Sequence, residues 1–167
     1  MKSFLLILTL FSITANAQEE PISAFLEKWK NSKEYLLEMA KAMPEENYSY
    51  KPTEREMTFG DQLLHIKSNM DWLSLTYFST IKKEKGEKKE LSKEEIIMQL
   101  ETSFNTVYKI IEQTPKEELK EIVDFFAGPK TKLQILNLLQ DHVTHHRGQL
   151  IVYLNLNNIK PPKYVGW

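Results

Sequence analysis

Two short boxes constrain this chain more than any other feature. Ser92-Lys93-Glu94-Glu95 and Thr131-Lys132-Leu133-Gln134 each place a hydroxyl residue three positions before a Glu or Gln. That pattern lets a helix start satisfy its own orphan N–H groups. Each box opens a long run with apolar residues at helical spacing, expected to reach about Gln113 and about Leu156 respectively. A third run extends from about Pro21 to Met43, with Phe25, Leu26, Trp29, Leu36, Leu37, Met39 and Ala40 in register. Pro21 suits a first helical turn, and Pro44 helps to end the helix. A fourth begins at Thr58, as N-cap, and is expected to run to about Lys83.

Between these runs, Glu45 to Met57 reads as a loop and Lys82 to Glu90 (KKEKGEKKE) as a solvated, charged connection. Lys116 to Lys130 is expected to hold a short turn and an extended piece around Ile122 to Phe126, closed by Gly128-Pro129. No segment alternates with period two for long enough to build a sheet. The fold class is therefore all-α, a four-helix bundle. Long loops after the first and third helices leave its connectivity open.

The first residues stand apart. Met1 to Ala17 (MKSFLLILTLFSITANA) has a basic start, a short apolar stretch and a small-x-small end at Ala15-Asn16-Ala17. It is too short to span a bilayer, which takes roughly 20 apolar residues, and reads as a signal peptide. The division expected is residues 1–17 as signal peptide and 18–167 as one bundle domain. The mature chain is then exported, periplasmic or secreted. With no Cys after the cleavage site, a lipoprotein anchor is excluded, and no membrane anchor remains after signal cleavage.

Composition narrows the chemistry. Lys+Arg is 22 against Asp+Glu 23, so there is no electrostatic footprint for nucleic acid. Zero Cys excludes thiolate zinc sites, a thiol nucleophile and disulfides. Four histidines remain, three of them within Asp141-His142-Val143-Thr144-His145-His146. At about 100° per residue, His142 and His146 fall in the centre of the apolar stripe of the last helix, and His145 at its edge. Two imidazoles one turn apart on a buried face need polar partners. Either they are core histidines bonded to waters or other helices, or they share a metal ion, which the i, i+4 spacing permits. On the second helix, Gln62, His65, Asn69 and Thr76 form a polar stripe beside Phe59, Ile66, Met70, Leu73 and Tyr77. Such a stripe suits a partly wet cavity between helices.

These residues resemble a known family. His142-Val143-Thr144-His145-His146-Arg147-Gly148-Gln149 contains H-x-x-x-H-R-G-Q, and Asn157-Asn158-Ile159-Lys160-Pro161-Pro162 follows it. Upstream stands Thr58-Phe59-Gly60-Asp61-Gln62-Leu63-Leu64-His65-Ile66. Together they are similar to the DinB/YfiT-like superfamily of metal-binding four-helix bundles, over essentially the whole of residues 18–167. The resemblance implies a divalent metal, zinc or nickel foremost, held by His65, His142 and His146. It also allows a homodimer. Asn158 stands where a glycine often closes the last helix, a conformation Asn can adopt.

Gln62, Asn69, Gln149 and His145 are then candidates to surround the ligands, the first two as fixers of imidazole tautomers. Catalytic residues are not assigned. A metal-dependent hydrolase or transferase acting on an unidentified small molecule is the reading that follows. Its rival is a metal-binding or interaction module without enzymatic activity. An exported chain would not meet the cytosolic thiols used by some transferases of the family. Arg147 is expected either to hold a substrate carboxylate or phosphate or to make a salt bridge or surface contact at the helix end, and Trp29 and Trp72 are expected as core rather than as a substrate box.

Overall fold

The computed structural model describes residues 20–81 and 91–166. The expected signal peptide, with Gln18 and Glu19 after it, the Lys82–Glu90 connection and Trp167 lie outside the described residues. Four helices are present: α1 (Pro21–Ala42), α2 (Phe59–Tyr77), α3 (Lys93–Glu112) and α4 (Lys132–Leu156). Short 3-10 turns at Glu45–Asn47 and Lys116–Lys120 interrupt the loops. A two-residue antiparallel ladder joins β1 (Ile122–Val123) to β2 (Lys130–Thr131) just before α4. The expected extended piece is therefore half of a small hairpin, with Gly128 at φ 88° in its turn.

The helix starts follow from the boxes. Ser92 Oγ accepts from the Glu95 N–H at 3.2 Å while the Glu95 carboxylate accepts from the Ser92 N–H at 2.9 Å. Thr131 and Gln134 repeat the exchange at 3.2 and 2.9 Å. Thr58 Oγ1 accepts from the Asp61 N–H at 3.1 Å. At the far end of α4, Asn158 takes φ 57°. The N–H of Ile159 then reaches the Leu154 carbonyl, and that of Asn158 the Asn155 carbonyl, the two bonds of a Schellman closure.

One boundary differs from expectation. Helix α2 ends at Tyr77, not near Lys83, with Phe78 leaving helical geometry at φ −126°, ψ 2°. Just beyond it, Ser79 Oγ accepts the Ile81 N–H at 3.0 Å. A local side-chain bond of this kind competes with continuation of the helix.

Helix α2 packs on α3 and α4, and α1 packs on α3 and α4. So α1 and α2 stand diagonally opposed, as do α3 and α4. Contacts also give direction. Trp29 donates to the Phe104 carbonyl and Lys93 to that of Met43, so α1 and α3 are antiparallel. Gln140 reaches Ser32, and Arg147 lies over Tyr35, so α1 and α4 are parallel. The bundle runs up, down, down, up. Its centre holds Trp29, Phe59, Phe104, Leu36, Met70 and Leu100, all essentially without exposure.

The face of α4 is rotated from the sequence reading. Its buried residues are Ile135, Leu136, Leu139, Val143, His146, Arg147, Leu150, Tyr153 and Leu154, an arc whose middle runs through Leu139, Val143 and Leu150. His146, 8% exposed, lies within that arc on its α2 side, and His142 lies at its flank toward α2, so neither stands at the centre. A helix touching two neighbours buries a wider arc than one stripe, and its middle points between α1 and α2. Arg147 is consequently buried, 6% exposed, with its guanidinium 5.1 Å from the Tyr35 ring centre, and is not a surface contact. Trp29 is core at 1% exposed, whereas Trp72 is 37% exposed and is not.

The Schellman closure makes a test of the α4 terminus. Asn158→Val should cost about 1–2 kcal/mol, the penalty for a left-handed residue with a branched side chain, while Asn158→Gly should leave stability at or above the parent. Urea unfolding of the two variants measures both.

Candidate metal centre

The site forms where α2 and α4 cross antiparallel. The register is read from its bonds: Gln62 meets His146, and His65 meets His142. Helix α2 brings Gln62 and His65 to the seam because they lie beside its buried residues Phe59, Leu63 and Ile66. Helix α4 contributes His142 and His146, one turn apart. The Nε2 atoms of His65 and His142 lie 3.1 Å apart. The His65 ring centre is 4.9 Å from that of His142 and 4.7 Å from that of His146.

One ligand nitrogen from each of the three rings falls within 4.8 Å of the others. Three nitrogens about 2.1 Å from one ion stand roughly 3–3.5 Å apart, so small ring rotations bring the trio to that spacing. At 3.1 Å, two Nε2 atoms either share one proton or turn both lone pairs to a common cation. The three histidines could thus hold a metal ion. Among the described residues this is the one such group, and no carboxylate belongs to it.

A directed chain of hydrogen bonds decides which nitrogen of His146 is free. Tyr153 donates its hydroxyl proton to the backbone carbonyl of Met57 at 2.9 Å. The Tyr153 oxygen can then only accept, and it accepts from the Gln62 amide nitrogen at 3.4 Å. Gln62 accordingly turns its Oε1 to His146, and His146 Nδ1–H donates to it at 2.6 Å. The same Nδ1–H also faces Gln149 Oε1 at 2.8 Å. With the proton on Nδ1, the Nε2 lone pair of His146 is left for the trio.

The surrounding candidates are therefore placed unequally. Gln62, 2% exposed, and Gln149 both hold His146. His145 is exposed; its Nε2 accepts from Gln149 Nε2 at 3.4 Å, and its ring stands edge-on to His146 at 4.9 Å. Asn69 makes no bond to a histidine, and its Oδ1 is buried without a hydrogen-bond partner. The register explains this: one turn past His65, α2 faces α4 near Leu138, which offers no polar atom. Tyr153 was missed by sequence reasoning. Its signal was its place on the same side of α4 as His142 and His146, where a hydroxyl could act as well as pack.

Burial pushes His142 down to about 4, with the His146, His65 and His145 imidazoles adding to the effect. Burial also lowers His146, partly opposed by its bond to Gln149, with His65 and His145 lowering it further. The rings of the α4 pair are therefore neutral at pH 7. His142 Nδ1 is buried without a partner.

The model of the DinB family matches residues 14–164. The protein YjoA of Bacillus subtilis (strain 168), itself described as uncharacterized, is 30% identical over 128 residues, 70% of this chain and 78% of its own length. The crystal structure of a DinB-like protein from Bacillus cereus superposes with a TM-score of 0.74 at 23% identity, covering 86% of this chain and 97% of that one. The structure of Bacillus subtilis YjoA gives 0.67 at 22% identity, covering 87% and 96%. At these identities the solved structures speak for the fold.

Two measurements on metal-free protein check the site. Nitrogen-15 NMR at pH 7 should find His146 in the Nδ1–H tautomer, and Gln62→Leu should lower that preference. Because the folded value of His142 lies below the ordinary 6.5, the unfolded chain binds its proton first. Stability should be full above about pH 6.5 and fall progressively toward about pH 4. His142→Leu should flatten that window in urea titrations.

Proposed function

Since the chain belongs to the DinB family, we propose that it is an exported protein that holds a divalent metal, zinc or nickel, on His65, His142 and His146. It uses that metal as a hydrolase or transferase toward a small molecule. The observation that carries this is the convergence of three imidazole nitrogens from two helices within 4.8 Å, with no fourth His, Asp or Glu among the described residues joining the set. Structural zinc sites take four protein ligands; catalytic ones keep a position open.

A metal there would supply Lewis acidity or a bound water of lowered pKa. The chain's own residues do the rest. Gln62 and Gln149 hold the His146 ring by its Nδ1–H, and Tyr153 holds Gln62. Burial keeps His142 neutral at pH 7, so protons compete weakly for the trio. His145 stands at the exposed side of the site, one bond from Gln149. The lack of a carboxylate within the group favours a second reading, a metal-binding module without catalysis.

Export rests on the Met1–Ala17 pattern, and residues 18–167 form the proposed mature domain. N-terminal sequencing of the protein recovered outside the cytoplasm should begin at Gln18; an intact Met1 there would overturn the cleavage. Purified without a histidine tag, the chain should carry about one equivalent of zinc or nickel. Less than about a tenth, with no uptake on adding either ion, would sink the metal reading. Alanine at His65, His142 or His146 should each abolish stoichiometric binding. Gln62→Leu should weaken it about 10–100-fold, as loss of a ligand-orienting bond does. In cobalt-substituted protein, a spectral change on adding acetohydroxamate marks an open position; no change favours the non-catalytic module.

A further inference from the structure

Trp72 lies seven residues beyond His65 on α2. That is a rise of about 10 Å and a rotation of only about 20° from the histidine's direction. Its ring stacks with Phe125 at 5.9 Å and 23°, and with Phe126 at 6.3 Å and 30°. Phe125 and Phe126 touch at 4.3 Å, and Tyr77 stands 6.3 Å from Trp72 and 6.1 Å from Phe125. Yet Phe126 is 83% exposed and Trp72 37%. Four rings held together with one nearly bare in water form an informative patch, unlike a lone exposed apolar residue.

The patch is built, not loose. Its two phenylalanines ride on the hairpin whose strands pair Ile122 with Thr131 and Val123 with Lys130. The Gly128 N–H closes back on the Phe125 carbonyl at 2.9 Å. Thr131 is also the N-cap of α4, so the helix that presents His142 and His146 also anchors the rings. Because α2 and α4 run antiparallel, the histidine trio and the ring cluster lie along one seam. Between them, Asn69 holds its buried, unpartnered Oδ1.

We propose that this seam is the binding site for a ligand carrying a planar aromatic ring, with its donor group at the histidine trio and its ring on Trp72 and Phe126 about 10 Å away. The aromatic class follows from Phe126, whose ring is held by Trp72 and Phe125 yet is 83% exposed, so that it offers a flat face suited to offset stacking. This inference rests on the metal reading above and names the substrate class of that site.

The test uses the zinc-loaded protein and a series of phenylalkyl hydroxamates of increasing tether length, with acetohydroxamate and the matching cyclohexylalkyl compounds as controls. Affinity is read by calorimetry, and ring contact by quenching of tryptophan fluorescence. Phenyl compounds should bind about tenfold tighter than acetohydroxamate at the best length, with a maximum where the tether spans the seam. Phe126→Ala, a change at an exposed position, should remove that gain while zinc and acetohydroxamate binding stay unchanged. Zinc uptake with acetohydroxamate bound but no tether maximum would overturn the aromatic seam alone. An equal gain from cyclohexyl compounds, or a gain that survives Phe126→Ala, would do the same. Failure to take up zinc would overturn the metal reading and this inference with it.

Discussion

A backbone carbonyl has no proton to give, and at the Met57 carbonyl that fact sets the order of everything beyond it. Tyr153 must donate there, Gln62 must donate to Tyr153, and the only face Gln62 has left for His146 is its oxygen. A single acceptor at the end of a loop thus selects one tautomer of a buried imidazole several groups away. The Glu45–Met57 loop, in sequence merely a connection, acts as the terminus of the site. A buried ring nitrogen left to choose its own proton would be a poorly defined ligand; here the choice is made by geometry.

The bundle's arrangement makes room for this polar line. Helix α4 spends the middle of its buried arc on α1 and α2 together, with Val143, Arg147 and Leu150 inward. The histidines are left at the margin, where imidazoles can be desolvated enough to stay neutral and still be reached from outside. Placed in the centre, they would be sealed among Leu139, Met70 and Phe59, and an unpaired ring nitrogen there would cost about 1–3 kcal/mol. The diagonal pairing of α1 with α2 and of α3 with α4 is what gives α4 two different neighbours and hence two different flanks.

Much of this was legible in the residues. The capping boxes at Ser92 and Thr131, the N-cap Thr58 and the left-handed Asn158 marked their helix ends because each signal is local: a side chain and a backbone group three or four positions apart. The histidine trio was legible because two of its members share one helix and the third stands in a polar stripe. What escaped depended on neighbours that a linear pattern does not name. The burial of Arg147 follows from the Tyr35 ring on another helix. Trp72 packs outside the core, against a hairpin that reaches it from before α4. Asn69 shared the stripe with His65 but met no polar group on α4, because the register brings Leu138 there. Tyr153 read as one more apolar position, since periodicity does not distinguish a ring from its hydroxyl.

The two helices that carry the imidazoles are not consecutive, and His65 and His142 stand 77 positions apart. The loop that must close between them is long, and closing it costs entropy before any contact repays it. A growing chain therefore has no three-nitrogen site until its final helix has been made and docked along α2. Competence arrives all at once, at the end of folding, and no fragment lacking the last quarter of the sequence can rehearse it.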